Sequence, residues 1–246
     1  MLRFILIVTA LVLYLIIGIP VLLIEKLVAR FSPRARDISC MYMVQAIFRV
    51  MLWLSGADVR YIGLENIPED HAALYVGNHN SYFDIHLTYV KFRRPTGYVA
   101  KFWLLKIPLL RDWMTRIGCL FLDRDDIRQG MKTILTGIEC LRNGFSLCIF
   151  PEGTRSKDGK MLPFHEGSMK LATRSGCPII PIAISGSAGI WERQFPRVRP
   201  THVIVEFGEP IYPESLSKEE RKFLGAYTRD RIQQMLDRHH LIQEEK

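Results

Sequence analysis

The chain has 246 residues, 48 % of them hydrophobic and 24 % charged, and its 33 Lys and Arg against 25 Asp and Glu give a formal net charge of +8. That length buries one full core plus a short appendage, and the composition excludes a disordered chain, a collagen, a coiled coil and a solenoid repeat. The positive balance admits an anionic partner: a membrane surface, a nucleic acid or a phosphorylated substrate.

Residues 4–24 carry no charge and are almost wholly apolar. As a helix they extend about 31 Å, enough to cross a hydrocarbon core. The stretch is too long for the apolar region of a signal peptide, and Glu25-Lys26-Leu27 follows it in place of a small-residue cleavage site. It reads as a retained anchor, with Gly18 and Pro20 expected to kink or stop the helix near its end. Lys26, Arg30, Arg34 and Arg36 follow it, against Arg3 and the amino group in front. If the helix spans, that bias places the rest of the chain on the cytoplasmic side, which in a bacterium means the inner membrane.

A second apolar stretch, residues 40–54, carries Gln45 and Arg49. It is short for a span and apolar for an exposed helix. Two readings stay open: a helix packed on the core, or an interfacial helix with Trp53 at the boundary. With the first helix it can form a hairpin that dips into one leaflet. Residues 1–55 are therefore expected to anchor the chain, and residues 56–246 to form the working domain.

From residue 57 on, short β-rich apolar runs alternate with helical patterns. The strands are expected at 58–63, 72–76, 97–100, 119–123, 146–150, 179–184 and 203–208; the helices at 83–91, 109–117, 127–142, 169–175 and 218–241. This alternation argues an α/β fold with a substantially parallel sheet. Ligands of such sheets sit beyond the carboxyl ends of the strands.

Two polar clusters occupy that position. Asn78-His79-Asn80-Ser81-Tyr82-Phe83-Asp84 follows the second strand. On one continuous helix, residues five apart do not face each other well. His79 and Asp84 meet if the His sits in the turn and the Asp in the first turn of the next helix, with Asn80 or Ser81 as its N-cap. The carboxylate then orients one imidazole nitrogen and leaves the other as a base. Seven His and eleven Asp produce roughly 0.3 such pairs by chance, so the spacing alone is weak. The second cluster, Phe150-Pro151-Glu152-Gly153-Thr154-Arg155-Ser156, follows the fifth strand. Its guanidinium, hydroxyls and backbone N–H groups suit a phosphate, and Gly153 permits unusual backbone angles. Lys101 and Arg124 close two further strands and add cations to the same end.

The sequence has no Ser-nucleophile elbow, no phosphate-binding P-loop and no zinc-protease helix motif. Its five cysteines are odd in number and lack Cys-x-x-Cys spacing, so they read as small buried apolar residues. His239 and His240 lie in a charged helix and read as solvated.

NHNSYFD at 78–84, GCLFLDR at 118–124, FPEGTRS at 150–156 and IIPIAI at 179–184 together resemble the membrane glycerolipid acyltransferases, in particular the 1-acyl-sn-glycerol-3-phosphate acyltransferases. The likeness extends over roughly residues 56–210. It implies a mixed, largely parallel sheet flanked by helices, with a membrane-associating N-terminal helical part. Carried over by position, it makes His79 the general base and Asp84 its orienting partner. Arg124, Glu152, Gly153 and Arg155 become the acceptor-binding set, with Thr154 beside them and Arg155 and Lys101 nearest the phosphate. Pro181 shapes the acyl-binding side. Two positions depart from the family pattern: Leu109-Leu110-Arg111 stands where many relatives have a glycine, and His165 stands where a lysine is common.

The implied reaction moves a fatty acyl group from a thioester, acyl-CoA or acyl carrier protein, to the sn-2 hydroxyl of lysophosphatidic acid at a bilayer. It needs neither metal nor cofactor, because the thioester is already activated. Two rivals are an acyltransferase for another acceptor (glycerol-3-phosphate, another lysophospholipid or a lyso-aminolipid) and a non-catalytic membrane lipid-binding protein. The intact His79/Asp84 pair argues against the second. A nucleic-acid partner is disfavoured, since the basic charge is spread and not gathered on one face.

Overall fold

The computed structural model describes residues 1–123 and 125–244. Two long helices come first, α1 (Leu2–Phe31) and α2 (Pro33–Ser55), joined by Ser32 alone. Ser32 is extended; its N–H bonds the Val28 carbonyl, and its Oγ accepts the Ala35 N–H at 3.2 Å. Pro33 at the first helical position needs no hydrogen-bond partner for its nitrogen. The result is an antiparallel hairpin. Arg3 donates to the Leu54 carbonyl at its open end (2.8 Å), and Ser39 donates to Glu25 near its closed end (2.6 Å). Both helices are long and apolar enough to cross a membrane.

The expected break at Gly18 and Pro20 does not occur, and α1 runs through both. Gly18 lies against the Trp113 indole, where an added Cβ would come within 2.9 Å of the ring. Gly18 on Trp113 before Pro20, and Val21 and Leu22 on the core after it, hold the helix continuous despite the one backbone bond that proline removes.

The remaining elements are β1 (Asp58–Ile62), β2 (Leu74–Gly77), α3 (Phe83–Tyr89), β3 (Thr96–Lys101), α4 (Leu110–Arg116), β4 (Leu120–Leu122), α5 (Ile127–Arg142), β5 (Ser146–Ile149), α6 (Lys170–Ser175), β6 (Ile179–Ser185), β7 (His202–Phe207), α7 (Lys218–Lys222) and α8 (Leu224–Glu244). All seven expected strands are present, in the order β1-β7-β6-β2-β5-β3-β4. β6, β2, β5, β3 and β4 run parallel, with Val76 opposite both Ile149 and Pro181 and Tyr98 opposite Cys148. β7 is antiparallel to β6, and β1 is parallel to β7. The sheet is thus mixed and largely parallel.

Alternation along the strands sends side chains to two apolar layers. Tyr75, Cys148, Ile180, Ile182 and Val205 face the hairpin, α3 and α4. Leu74, Val76, Leu147, Ile149 and Ile179 face α5, α6 and α8. Met41, Val44 and Ile47 of α2 belong to the first layer, so the hairpin shares the core of the sheet.

The single C-terminal helix expected from residue 218 is two. Ser217 and Glu220 form a reciprocal cap on α7, and Glu166 accepts the Gly225 and Ala226 N–H groups at 2.8 and 3.0 Å, starting α8 afresh. His239 is not solvated. It is fully buried on the inner face of α8, with Nε2 2.9 Å from Glu206 and Nδ1 3.1 Å from the Ser185 hydroxyl.

Candidate active site

Five parallel strands end at one edge of the sheet, and the polar clusters collect there. β2 ends at Gly77, and the Asn78 side chain then clamps β6. Its Nδ2 donates to the Ile184 carbonyl (2.9 Å) and its Oδ1 accepts the Ile184 N–H (2.8 Å). This clamp fixes where the chain leaves the sheet and so where His79 begins.

Three contacts hold the His79 backbone and ring. Its N–H donates to Glu152 Oε1 (2.7 Å), and its carbonyl accepts the Ser156 N–H (2.8 Å). Its ring stacks on Phe150, with centroids 4.3 Å apart and planes at 12°. Phe150 reaches that position because residue 77 lacks a side chain; a Cβ there would stand 3.1 Å from the phenyl ring.

Asp84 is fully buried at the start of α3. Its Oδ2 accepts from three donors: His79 Nδ1 at 2.8 Å, Asn80 N–H at 2.7 Å and Ser81 N–H at 2.8 Å. An ionised carboxylate only accepts, so the Nδ1 proton sits between His79 and Asp84 and the Nε2 lone pair is free. The side chain of His79 is 16 % exposed, and Nε2 has no hydrogen bond among the described residues. The helix start differs from expectation. α3 begins at Phe83, and neither Asn80 nor Ser81 is its N-cap. Asp84 reaches back to the two N–H groups instead, while the Ser81 hydroxyl accepts the Phe83 N–H (3.0 Å).

The second loop is built around Glu152, which is 4 % exposed. Both of its oxygens are used within the protein, Oε1 by His79 N–H and Oε2 by Leu162 N–H at 2.8 Å. Burial raises its pKa above the usual carboxylate range, and the two backbone N–H groups partly oppose that. Glu152 therefore ties the two loops together, and both oxygens are already committed. Gly153 has φ 74 and donates its N–H to the Phe150 carbonyl at 3.0 Å, a tight turn that a side chain would strain. Thr154 is exposed beside it.

Arg155 lies flat on Tyr82, its guanidinium carbon 3.7 Å from the ring centroid, and donates to Glu192 Oε1 at 3.2 Å. Glu192 also accepts the Tyr82 N–H and the Ser81 hydroxyl, each at 2.7 Å. It is the residue that sequence reasoning missed. It follows no strand, and it stands 37 positions from Arg155 and 111 from Ser81, so no local spacing marks it. Lys101 ends β3, exposed, one strand over from this loop. Arg124 lies outside the described residues.

The arrangement presents one oriented base at the end of a parallel sheet, with cations on neighbouring strands. Comparison with known proteins places the chain among relatives of one kind. A family model described as Acyltransferase matches residues 58–185. The 1-acyl-sn-glycerol-3-phosphate acyltransferase of Borreliella burgdorferi is 30 % identical over 195 residues, covering 79 % of this chain and 78 % of that protein. The probable 1-acyl-sn-glycerol-3-phosphate acyltransferase of Mycoplasma pneumoniae is 32 % identical over 181 residues, covering 69 % and 68 %. The crystal structure of the 1-acyl-sn-glycerophosphate (LPA) acyltransferase of Thermotoga maritima superposes with a TM-score of 0.83 at 26 % identity, covering 97 % of this chain and 95 % of that one.

Proposed function

The chain belongs to the acyltransferase family, and we propose that it transfers a fatty acyl group from a thioester to the sn-2 hydroxyl of 1-acyl-sn-glycerol-3-phosphate, giving phosphatidic acid. The observation that carries this reading is the 2.8 Å contact between His79 Nδ1 and buried Asp84, which leaves Nε2 without a hydrogen-bond partner among the described residues. Phosphate binding alone has no use for an oriented base.

His79 Nε2 takes the proton of the sn-2 hydroxyl as that oxygen attacks the thioester carbonyl. The tetrahedral adduct collapses, the C–S bond breaks, and the imidazolium returns the proton to the departing thiolate. Asp84 stabilises the imidazolium and holds the ring. Phe150 keeps the ring plane fixed, and Glu152 fixes its backbone. Arg155 and Lys101 receive the acceptor phosphate, with Gly153 and Thr154 shaping the turn around it. Arg124 is assigned to the same set from the sequence. The donor is acyl-CoA or acyl carrier protein.

The hairpin supports docking in one leaflet. One row of α1 is taken up by the domain: Ile7 is buried, Phe4 stacks on Trp191 (5.7 Å), and Tyr14 and Gly18 meet Trp113. From Phe4 to Gly18 that contact runs about 21 Å along the helix. A helix pressed lengthwise on a folded domain does not cross a bilayer apart from it. Its other row, including Leu2, Ile5, Leu13, Ile16 and Leu23, is exposed and apolar. Lys26, Arg30, Arg34 and Arg36 at one end and Arg3 at the other keep both ends at the headgroups. The domain then faces the cytoplasm, where thioester donors are dissolved.

The test is thiol release by detergent-solubilised protein with palmitoyl-CoA, or palmitoyl-acyl carrier protein, and lysophosphatidic acid. Parallel arms use glycerol-3-phosphate, lysophosphatidylglycerol or no acceptor. Release that needs lysophosphatidic acid and disappears in His79→Ala is the expected result. Release with another acceptor alone overturns the substrate, and a folded His79→Ala that retains activity overturns the mechanism.

A further inference from the structure

The closed end of the hairpin carries a groove of about 600 Å³ between α1, α2 and α4. Its floor is apolar, formed by Leu22 of α1 and by Leu105 and Leu109 ahead of α4. Its rim is cationic: Lys26, Arg36, Arg111 and Arg116, against one acid, Asp112. Arg36 pairs with Asp37 at 2.5 Å and Arg111 with Asp112 at 3.2 Å. Among the described residues, Lys26 and Arg116 form no ion pair. The groove is remote from His79. Phe4 marks the active-site end of α1 through Trp191, and Leu22 lies 18 residues further, about 27 Å along the helix.

The wall of the groove holds a second, independent feature. Leu109 has φ 61 and ψ −51, and the Leu110 N–H donates to the Pro108 carbonyl at 2.7 Å. This is a γ-turn of the rare, strained hand. Among the described residues Leu109 is the only non-glycine with positive φ. Glycine adopts that backbone freely, whereas leucine is strained in it. The strained backbone sets the leucine side chain into the groove, where glycine would leave a gap.

We propose that this groove seats one anionic phospholipid of the membrane, its phosphate between Lys26, Arg111 and Arg116 and the start of an acyl chain on Leu22, Leu105 and Leu109. Two observations choose this occupant. The rim carries an excess of positive charge, which a zwitterionic headgroup does not neutralise. The floor continues into the exposed apolar row of α1 through Leu23, which belongs to both, so a chain leaving the groove enters the hydrocarbon layer directly. A soluble phosphate uses the rim and leaves the floor wet.

This assignment rests on the hairpin lying in the interface, and the test separates the two. Full-length protein is floated with phosphatidylcholine vesicles, and with the same vesicles containing about one-fifth phosphatidylglycerol. The variants are Arg111→Gln/Arg116→Gln in the groove, Leu109→Gly in its wall, and Lys218→Gln/Lys222→Gln on α7, across the sheet, as an equal-charge control. The wild type is expected to gain about tenfold in partitioning from the anionic lipid. The groove pair keeps its binding to phosphatidylcholine and loses most of that gain, while the control retains it. Leu109→Gly melts no lower than the wild type, since its backbone is relieved, and also loses part of the gain. Equal losses in the groove pair and the control overturn the site in favour of a diffuse surface charge. Competition of the gain by millimolar inorganic phosphate assigns the rim to a soluble anion and also overturns it. Absence of binding even to phosphatidylcholine overturns the interfacial hairpin itself.

Discussion

Replacing Asp84 with Asn tests the centre of the proposed mechanism with little change in shape. Asp84 Oδ2 is the shared acceptor of three N–H donors, two of them backbone. An amide oxygen in the same place still accepts from them, but without charge. The amide nitrogen then takes the place of Oδ1, which is buried and has no partner among the described residues. Weakened charge-assisted bonds and one unsatisfied donor together cost about 2 kcal/mol. For a chain of this size that lowers the melting temperature by about 4–8 °C, so the variant stays folded at assay temperature. Catalysis suffers more. The carboxylate fixes the tautomer and stabilises the imidazolium that forms with proton transfer, and its loss reduces kcat by about 10²–10⁴. Thiol release with lysophosphatidic acid measures this, beside a thermal melt of the same sample. His79→Ala and the double variant complete a cycle. If the two residues act as one unit, the double variant is no slower than His79→Ala alone. A folded Asp84→Asn enzyme within threefold of the wild-type kcat, or a double variant showing the product of the two single effects, would refute the reasoning.

Three further outcomes follow from the same geometry. Gly77→Ala places a Cβ 3.1 Å from the Phe150 ring and displaces the surface on which His79 stacks; kcat is expected to fall about tenfold with KM little changed, read from initial rates at varied acceptor. Arg155→Lys keeps the charge but loses the planar fork that lies on Tyr82, so KM for lysophosphatidic acid should rise about tenfold while kcat stays within a factor of three; a kcat effect alone would remove Arg155 from phosphate binding. Burial raises the pKa of Glu152 in the folded state, so the folded protein holds that proton to higher pH than the unfolded chain does. Its contribution to stability is full below the ordinary glutamate range and is lost as pH rises through the folded value. The melting temperature of the wild type relative to that of Glu152→Gln should therefore fall as pH rises above the ordinary glutamate range, and a relative rise would contradict the sign.

The parts of the molecule legible in the sequence are those set by local pattern. Most strands announce themselves by a short apolar run ended within two residues by Gly, Pro or Asp (β3, ended by Lys101, is the exception), and both polar clusters lie directly after such runs. What stayed hidden depends on pairing between distant segments. The reversal of β7 and β1 is a choice of neighbours in the sheet, made between Ile182 and Phe207 and between Asp58 and His202, and nothing within either strand encodes it. The family resemblance placed Glu152 in the acceptor-binding set by position, whereas both of its oxygens are held by backbone N–H groups on other segments. His239 read as solvated because its neighbours in sequence are charged. Its ring instead falls on the row of α8 that covers Ser185 and Glu206, where the neighbouring Arg238 also reaches Glu206 at 2.7 Å. Pro20 failed to stop α1 because tertiary packing outweighs one lost backbone bond.

The hairpin and the chemistry are also closer than a tether and a domain would be. Trp191 stacks on Phe4 of the membrane-facing helix and lies 5.6 Å from the Tyr82 ring. Tyr82 carries the Arg155 guanidinium on its other contact, and Glu192, the residue after Trp191, accepts from Arg155, Ser81 and Tyr82. Two aromatic contacts thus separate the first turn of α1 from the cation proposed to hold the acceptor phosphate. Chain burial in lipid is worth about 0.8 kcal/mol per methylene, so an acceptor drawn far out of the bilayer would cost more than an arginine–phosphate bond returns. With α1 in the interface, as proposed, fixing Arg155 through Trp191 to that helix would keep the phosphate site at headgroup depth, and the sn-2 hydroxyl would then reach His79 without extraction of the acyl chain.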